Sequence, residues 1–393
     1  MQIYTDRHAL HQIPELDKDL PKTLAYLKNA LSGLSCRVFS PCESALCAFF
    51  DFGQETAIAF RADMDALPIT EKTGAPYAST HEGRMHACGH DGHMAILLEL
   101  ARRLSAVIAS RCAHRRGNLL QDSGNLRGSP HQSADWFAKT PKNNILLVFQ
   151  SAEETTGGAR DICESGVFAH FSVEAIFGLH LWPGLEKGKI FSRKNELMAR
   201  SCEVTVDIFG KSSHIAKANQ GIDALMAGAE FYTKAMELER SIPDGIFRLL
   251  KFGKFHSGTV RNALSAHTHL EGSLRAFQDE TFDYLAGGLH TIAEEVEDRY
   301  GCRVQLHYSD GYPAVMNPDW LFDHVAKTVP FETLDEPCMT AEDFSWYQKY
   351  IPGMFFFLGL GDTPALHADT FDFDEGVLVK GADFFETIAE EFV

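Results

Sequence analysis

The chain has 393 residues, with 36 Lys and Arg against 54 Asp and Glu, a formal net charge of −18. That length exceeds what one hydrophobic core usually organises, so two domains are expected. The acidity argues against a nucleic-acid partner, which needs clustered cations. No apolar run reaches the ~20 residues that span a bilayer. The N-terminal segment lacks the pattern of a secretory signal, so a cytoplasmic location and no membrane partner are expected. Nine scattered cysteines without a Cys-x-x-Cys pair read as buried thiols, with any exception set by chemistry.

In chain order, helical periodicity covers residues 6–34, interrupted around Pro14 and restarting near Pro21. Apolar strands follow at 45–52 and 56–60, then a buried helix over 92–104. The stretch 105–143 is polar and locally basic, and reads as a long surface loop inserted in the first domain. Strands at 144–150 and 175–180 continue an α/β alternation, which predicts a mostly parallel sheet with helices on both faces. After Asn195 the pattern becomes β (201–209), α (222–238), β (247–256), β (266–276), α (281–300), β (303–308). This βαββαβ order predicts an inserted, ferredoxin-like α+β domain. The expected division is a catalytic domain from 1–194 and 309–393, with 195–308 inserted.

The densest chemical signal is His86-Ala-Cys88-Gly-His90-Asp91-Gly-His93 at a helix start. Thiolate, imidazole and carboxylate are ligands for borderline divalent metals, and the glycines let several face one point. His93, one turn into the helix, reads as a supporting or core residue. Directly after strand 144–150 stand Glu153 and Glu154. Adjacent carboxylates at a strand's C-terminal end point different ways, so one can bind metal while the other acts as a base. A helix N-terminus would also favour glutamates there. His180 and His367 are lone histidines near strand ends, on the side where the other candidates lie. Asp63 and Asp65 also follow a strand, and a carboxylate here can orient a histidine ligand.

Segments FRADMDALPI (60–69), HACGHDGHMA (86–95), VFQSAEET (148–155), GLH (178–180), GKSSH (210–214), EDF (342–344) and LH (366–367) occur in a characteristic order. Together they resemble the metallo-aminoacylase family of amidohydrolases, the branch with hippurate hydrolases, auxin-conjugate hydrolases and N-acetyldiaminopimelate deacetylases. The resemblance implies that Cys88, His90, Glu154, His180 and His367 ligate two divalent ions (Zn, Mn, Co or Ni). It implies Glu153 as general base toward a water held at that centre, with Asp65 in the catalytic set. It makes the inserted domain a lid and dimerisation domain, whose His214 reaches a partner subunit's site in a homodimer. Asn262 and Arg275 match positions that bind the substrate's carboxylate. The implied reaction is deacylation of a small N-acyl amino acid or short peptide. Dipeptide cleavage by the same site is the alternative, and a non-catalytic binding homologue a further one. Departures from the family pattern are Ser151 and Ala218, where proline is usual, and Ala263-Leu264-Ser265 after Asn262, where Val-Ile-Pro is usual.

Overall fold

The computed structural model describes residues 1–121 and 139–393. Its elements in the first part of the chain are α1 (Gln2–His11), α2 (Pro21–Leu31), β1 (Arg37–Phe39), β2 (Leu46–Phe50), β3 (Ala57–Asp63), α3 (His90–Gln121), β4 (Asn144–Gln150), α4 (Ala159–Glu164), α5 (Val167–His170), β5 (Val173–Pro183) and β6 (Ile190–Ser192). Then come β7 (Asn195–Met198), β8 (Arg200–Phe209), α6 (Ala224–Ser241), β9 (Arg248–Ser257), β10 (His267–Ala276), α7 (Asp279–Tyr300), β11 (Arg303–Tyr308) and β12 (Val315–Asn317). The chain ends with α8 (Asp319–Val325), β13 (Glu332–Thr333), β14 (Gly353–Gly361) and α9 (Gly376–Glu391).

Two compact units result. The first comprises Met1–Asn195, Asn317–Asp335 and Trp346–Val393. Its sheet has the order β1-β2-β4-β3-β5-β14-β6-β13. The central strands β4, β3, β5 and β14 run parallel, whereas β2 on β4 and β6 on β14 are antiparallel. Strands β3 and β4 are buried at every residue, as strands covered on both faces must be. Phe355, Phe356 and Phe357 of β14 are all but inaccessible, each burial contributing about 1.5–3 kcal/mol. Helix α3 packs against α1, α9 and β3, with Met94, Ile96, Leu97, Leu98 and Leu100 fully buried.

The second unit comprises Glu196–Met316 and Glu336–Ser345. Strand order β11-β8-β10-β9, all antiparallel, gives the βαββαβ sandwich. Cys202, Val204, Val206 and Ile208 alternate into its core with residues of α6 and α7. Asp223 caps α6 by accepting from the N–H groups of Leu225 and Met226.

Three sequence expectations need correction. Residues 105–121 belong to α3 rather than to a surface loop, because the apolar stripe continues through Val107; of the rest of the expected loop, 139–143 carry no helix or strand, and 122–138 lie outside the described residues. His180 does not end its strand, since β5 runs three residues further beside β14. The second unit also reaches past residue 308: Ser201 N–H donates to Tyr312 O, and Ala199 N–H to Thr340 O, which draws both outlying segments onto it.

Helix α1 is fastened to the start of α3 by charge. Arg7 Nε lies 3.3 Å from Asp91 Oδ2, and His11 Nδ1 donates to the same oxygen at 2.8 Å. Arg7 also pairs with Asp372 and Glu375 and stacks over Phe373. Burial alone would depress the His11 imidazole, but Asp91 and Glu71 outweigh it and raise its pKa to about 9 from 6.5. The folded value exceeds the unfolded one, so this contribution is complete below pH 6.5 and is lost as pH rises through 9. In urea titrations, the stability gap between wild type and His11→Gln should therefore be widest in mildly acidic buffer and narrow across that window. A gap independent of pH would contradict the pairing.

Candidate metal centre

The candidate residues collect at the C-terminal ends of the parallel strands, the edge where open α/β sheets carry their chemistry. Asp63 ends β3, and Asp65 follows it. Glu153 and Glu154 stand just past β4, and His180 lies near the end of β5. His367 lies in the loop after β14, where its N–H donates to Ala87 O at 2.8 Å. Cys88 enters from the bend just before α3, and His90 is the first residue of that helix.

Local backbone conformation aims these side chains. Gly89 has φ +87°, a left-handed turn that lets its two neighbours face one point. Beyond β4, Ala152 adopts φ 60° and its carbonyl accepts from Gly157 N–H. That turn is closed so tightly that a Cβ on Gly158 would lie 2.0 Å from Ser151 O. Ser151, where the resembled family has proline, donates to Ser44 Oγ at 2.9 Å and so pins the same turn by a side chain.

Asp65 sets the direction of both glutamates. Its Oδ1 accepts from Glu153 N–H and its Oδ2 from Glu154 N–H, each at 3.0 Å. The Asp65 backbone carbonyl accepts from His90 Nδ1 at 2.7 Å. One residue thus orders three candidates without needing to touch a substrate. Burial pushes its carboxyl well up, opposed by the two N–H bonds.

The histidine tautomers follow from their partners. With Nδ1 of His90 donating to Asp65 O, its Nε2 carries a lone pair, is buried, and has no hydrogen-bond partner. His180 Nδ1 donates to Leu181 O at 2.7 Å, which turns Nε2 toward Cys88 Sγ, 3.4 Å away. Burial holds both imidazoles below their usual pKa, hence neutral. His93 is different: Nδ1 donates to Asp63 Oδ1 and Nε2 accepts from Leu181 N–H. Both its nitrogens are used, so it braces the strand bearing His180 and has no lone pair to offer. Asp63 is held in turn by Arg61 Nη1 at 2.7 Å.

Glu154 Oε1 lies 3.1 Å from His367 Nε2 and 3.9 Å from His90 Nε2, yet accepts no hydrogen bond. Burial pushes its carboxyl up, but His367 and His90 outweigh that and hold it low. Burial together with Glu154 and Glu153 pushes the Cys88 thiol far up. Ligand atoms of Cys88, His90 and His180 converge within 4.8 Å, as do those of Cys88, Glu154 and His367, and of His90, Glu153 and Glu154. Thiol, imidazoles and carboxylates, with two buried polar atoms that lack hydrogen-bond partners, make a donor set that fits divalent cations.

His214, Asn262 and Arg275 belong to the second unit. Ile215 N–H donates to Asn262 O and Leu264 N–H to Ser213 O, which brings His214 and Asn262 into one loop pair. His214 is exposed; its Nδ1 accepts from Ala216 N–H, so the ring proton sits on Nε2. Arg275 Nη1 donates to Met339 O and its Nε to Ser273 Oγ.

The bracing by His11, Arg7 and Gln150 was not legible in the sequence. Gln150 Oε1 accepts from Arg61 Nε and from Tyr347 Oη. Single polar residues in a helix or strand carry no spacing signal. His86, the first residue of the motif, is fully buried, and burial depresses its pKa to about 3.

Replacing Asp65 by Asn removes one acceptor from the pair of glutamate N–H groups while keeping the volume. Metal content by mass spectrometry, or turnover, should drop about 10–100-fold with the far-UV spectrum unchanged. Wild-type values for both would contradict the positioning role.

The Peptidase family M20/M25/M40 model matches residues 59–119 and 133–391. An uncharacterized hydrolase of Staphylococcus aureus (strain USA300) is 30% identical over 398 residues, spanning 98% of this chain and 97% of that protein. The N-acetyldiaminopimelate deacetylase of Lacticaseibacillus casei is 33% identical over 395 residues, spanning 96% and 94%. Among solved structures, the Bacillus subtilis YxeP protein, described as a dinuclear metal-binding peptidase, superposes with a TM-score of 0.78 at 26% identity, covering 99% of this chain and 97% of that one. The chain belongs to the M20/M25/M40 metallopeptidase family of hydrolases.

Proposed function

We propose that the protein is a metal-dependent amidohydrolase that removes the acyl group from small N-acyl amino acids. The observation that carries this reading is the convergence of Cys88, His90, His180, Glu154 and His367 beside Glu153, with His90 Nε2 and Glu154 Oε1 buried and without hydrogen-bond partners. Those five side chains would hold two divalent ions. Such ions supply Lewis acidity and lower the pKa of a water toward neutrality.

Glu153 serves as the proton carrier. Its backbone is fixed by Asp65 and its side chain is 7% exposed, which suits a general base held against the reacting water. It takes that proton and returns it to the departing amine nitrogen, so one carboxylate serves both halves of the reaction. His214, with its proton on Nε2, has the form of a donor able to polarise a carbonyl. Losing such a donor costs ~3–4 kcal/mol of barrier. The family pattern gives this task to a partner subunit's site. Strand β9 forms an edge of its sheet, and Phe255 on it and Leu225, Met226 and Tyr232 on α6 are exposed apolar residues; that surface supports a homodimer. Arg275 and Asn262 would take the substrate's carboxylate, which favours acylated amino acids. Likeness to a deacetylase supports the same substrate class. No helix among the described residues is long and apolar enough to cross a membrane.

Glu153→Gln should retain bound metal and lose turnover by several orders of magnitude; near-wild-type hydrolysis would remove Glu153 from the base role. A panel of acetyl-, benzoyl- and aminoacyl-amino acids should show the first two cleaved in preference to the third. Preference for the aminoacyl substrates would instead assign a dipeptidase. Mixing Glu153→Gln with His214→Ala protein should restore activity through hybrid dimers, and failure despite demonstrated subunit exchange would refute the trans role.

A further inference from the structure

The second unit carries another set of metal-ligating side chains, far in sequence from the first. His267 and His269 are two apart on β10, so both project from the same face of the strand. In the ladder His269 pairs with Asp207 of β8. Asp207 Oδ1 lies 2.7 Å from His267 Nε2 and 2.8 Å from His269 Nδ1, and one ligand atom from each residue lies within 4.8 Å of the others. This is the sheet face that points away from the core, since Val206, Ile208, Thr268 and Leu270 alternate inward.

The surroundings support the histidines as a ligand pair. Glu271 Oε1 accepts from His269 Nε2 at 2.8 Å, which fixes that ring and turns Nδ1 toward Asp207. A carboxylate behind a histidine's far nitrogen is the usual device for orienting a metal ligand. Lys254 Nζ holds the same Glu271 oxygen from β9. The His267 ring stacks on Phe209 with centroids 5.0 Å apart, which restricts its rotation. His256 of β9 is the register partner of His269 on the other side. Exposures of 47% for the His267 side chain, 25% for His269 and 19% for Asp207 leave a cation room for water ligands.

We propose that Asp207, His267 and His269 form a surface site for one borderline divalent transition-metal ion, separate from the centre in the first unit. Two imidazoles and one carboxylate match the preferences of zinc and its neighbours, and disfavour calcium and magnesium, which take oxygen ligands. The ion would cross-link β8 and β10 on the outer face of the sheet. The ligands are preassembled on rigid strands, so binding orders little chain.

The test is equilibrium dialysis of the full-length protein against Zn2+, with bound zinc counted by mass spectrometry. Wild type should hold about one equivalent more than the His267→Gln/His269→Gln double variant, and Asp207→Asn should lose the same equivalent. The difference should persist when both proteins also carry Cys88→Ser, so it does not depend on the first centre. Hydrolytic turnover of the double variant should stay at the wild-type level. Equal zinc content in wild type and both variants, each folded by circular dichroism, would mean a hydrogen-bonded ion-pair cluster only and would overturn the site.

Discussion

The Asp65 carboxylate, spread across two consecutive backbone N–H groups, is the contact on which the first unit's candidate metal centre depends. Its two oxygens fix Glu153 and Glu154, and its carbonyl fixes His90. Neighbouring residues on an irregular loop would otherwise be free to turn their side chains to solvent. A buried carboxylate accepting two N–H bonds removes that freedom. It also gives an adjacent pair of like charges two fixed backbone positions, which the proposed reaction would use for separate tasks.

Around that contact the structure concentrates buried charge. Asp63, Asp65, Asp91, Glu153, Arg7, Arg61, His11, His90 and His93 are all essentially inaccessible. Such groups are costly to bury unless each is paired. Here the pairs form a chain of dependence: Arg61 holds Asp63, Asp63 holds His93, and His93 accepts the N–H of the residue after His180. The end of β5 that carries His180 is thereby tied back to β3 and α3. Two buried atoms of the same cluster, His90 Nε2 and Glu154 Oε1, have no hydrogen-bond partner and lie among the side chains proposed to hold the cations. The same design recurs more openly on the β8–β10 face, where Glu271 stands behind His269.

Much of this was legible in the residues, for physical reasons. Buried parallel strands carry unbroken apolar runs such as 145–149 and 354–358, and alternation in 201–209 marks a half-buried antiparallel strand. The dense Cys88/His90 motif and paired Glu153/Glu154 advertise chemistry because those side chains are rarely clustered without a use. Other features left no local trace. The continuation of α3 to Gln121 is hidden because residues 109–121 are largely polar and match a loop in composition. The assignment of Ser309–Met316 to the second unit depends on single backbone contacts such as Ser201 to Tyr312. Arg7 and His11 act on Asp91 from about 80 residues away, a pairing that no spacing rule encodes. His214 was legible as a motif, but its tautomer is decided by one N–H of the following turn.

A two-ion centre built from both the α3 motif and the strand ends is the claim that everything else in the catalytic reading requires. Crystals of the zinc-loaded protein, measured on either side of the zinc absorption edge, test it directly. The anomalous map should contain two peaks inside the cluster of Cys88, His90, Glu154, His180 and His367, with Glu153 outside the coordination of both. A single peak in that cluster, or none in contact with Cys88 and His180, would contradict it.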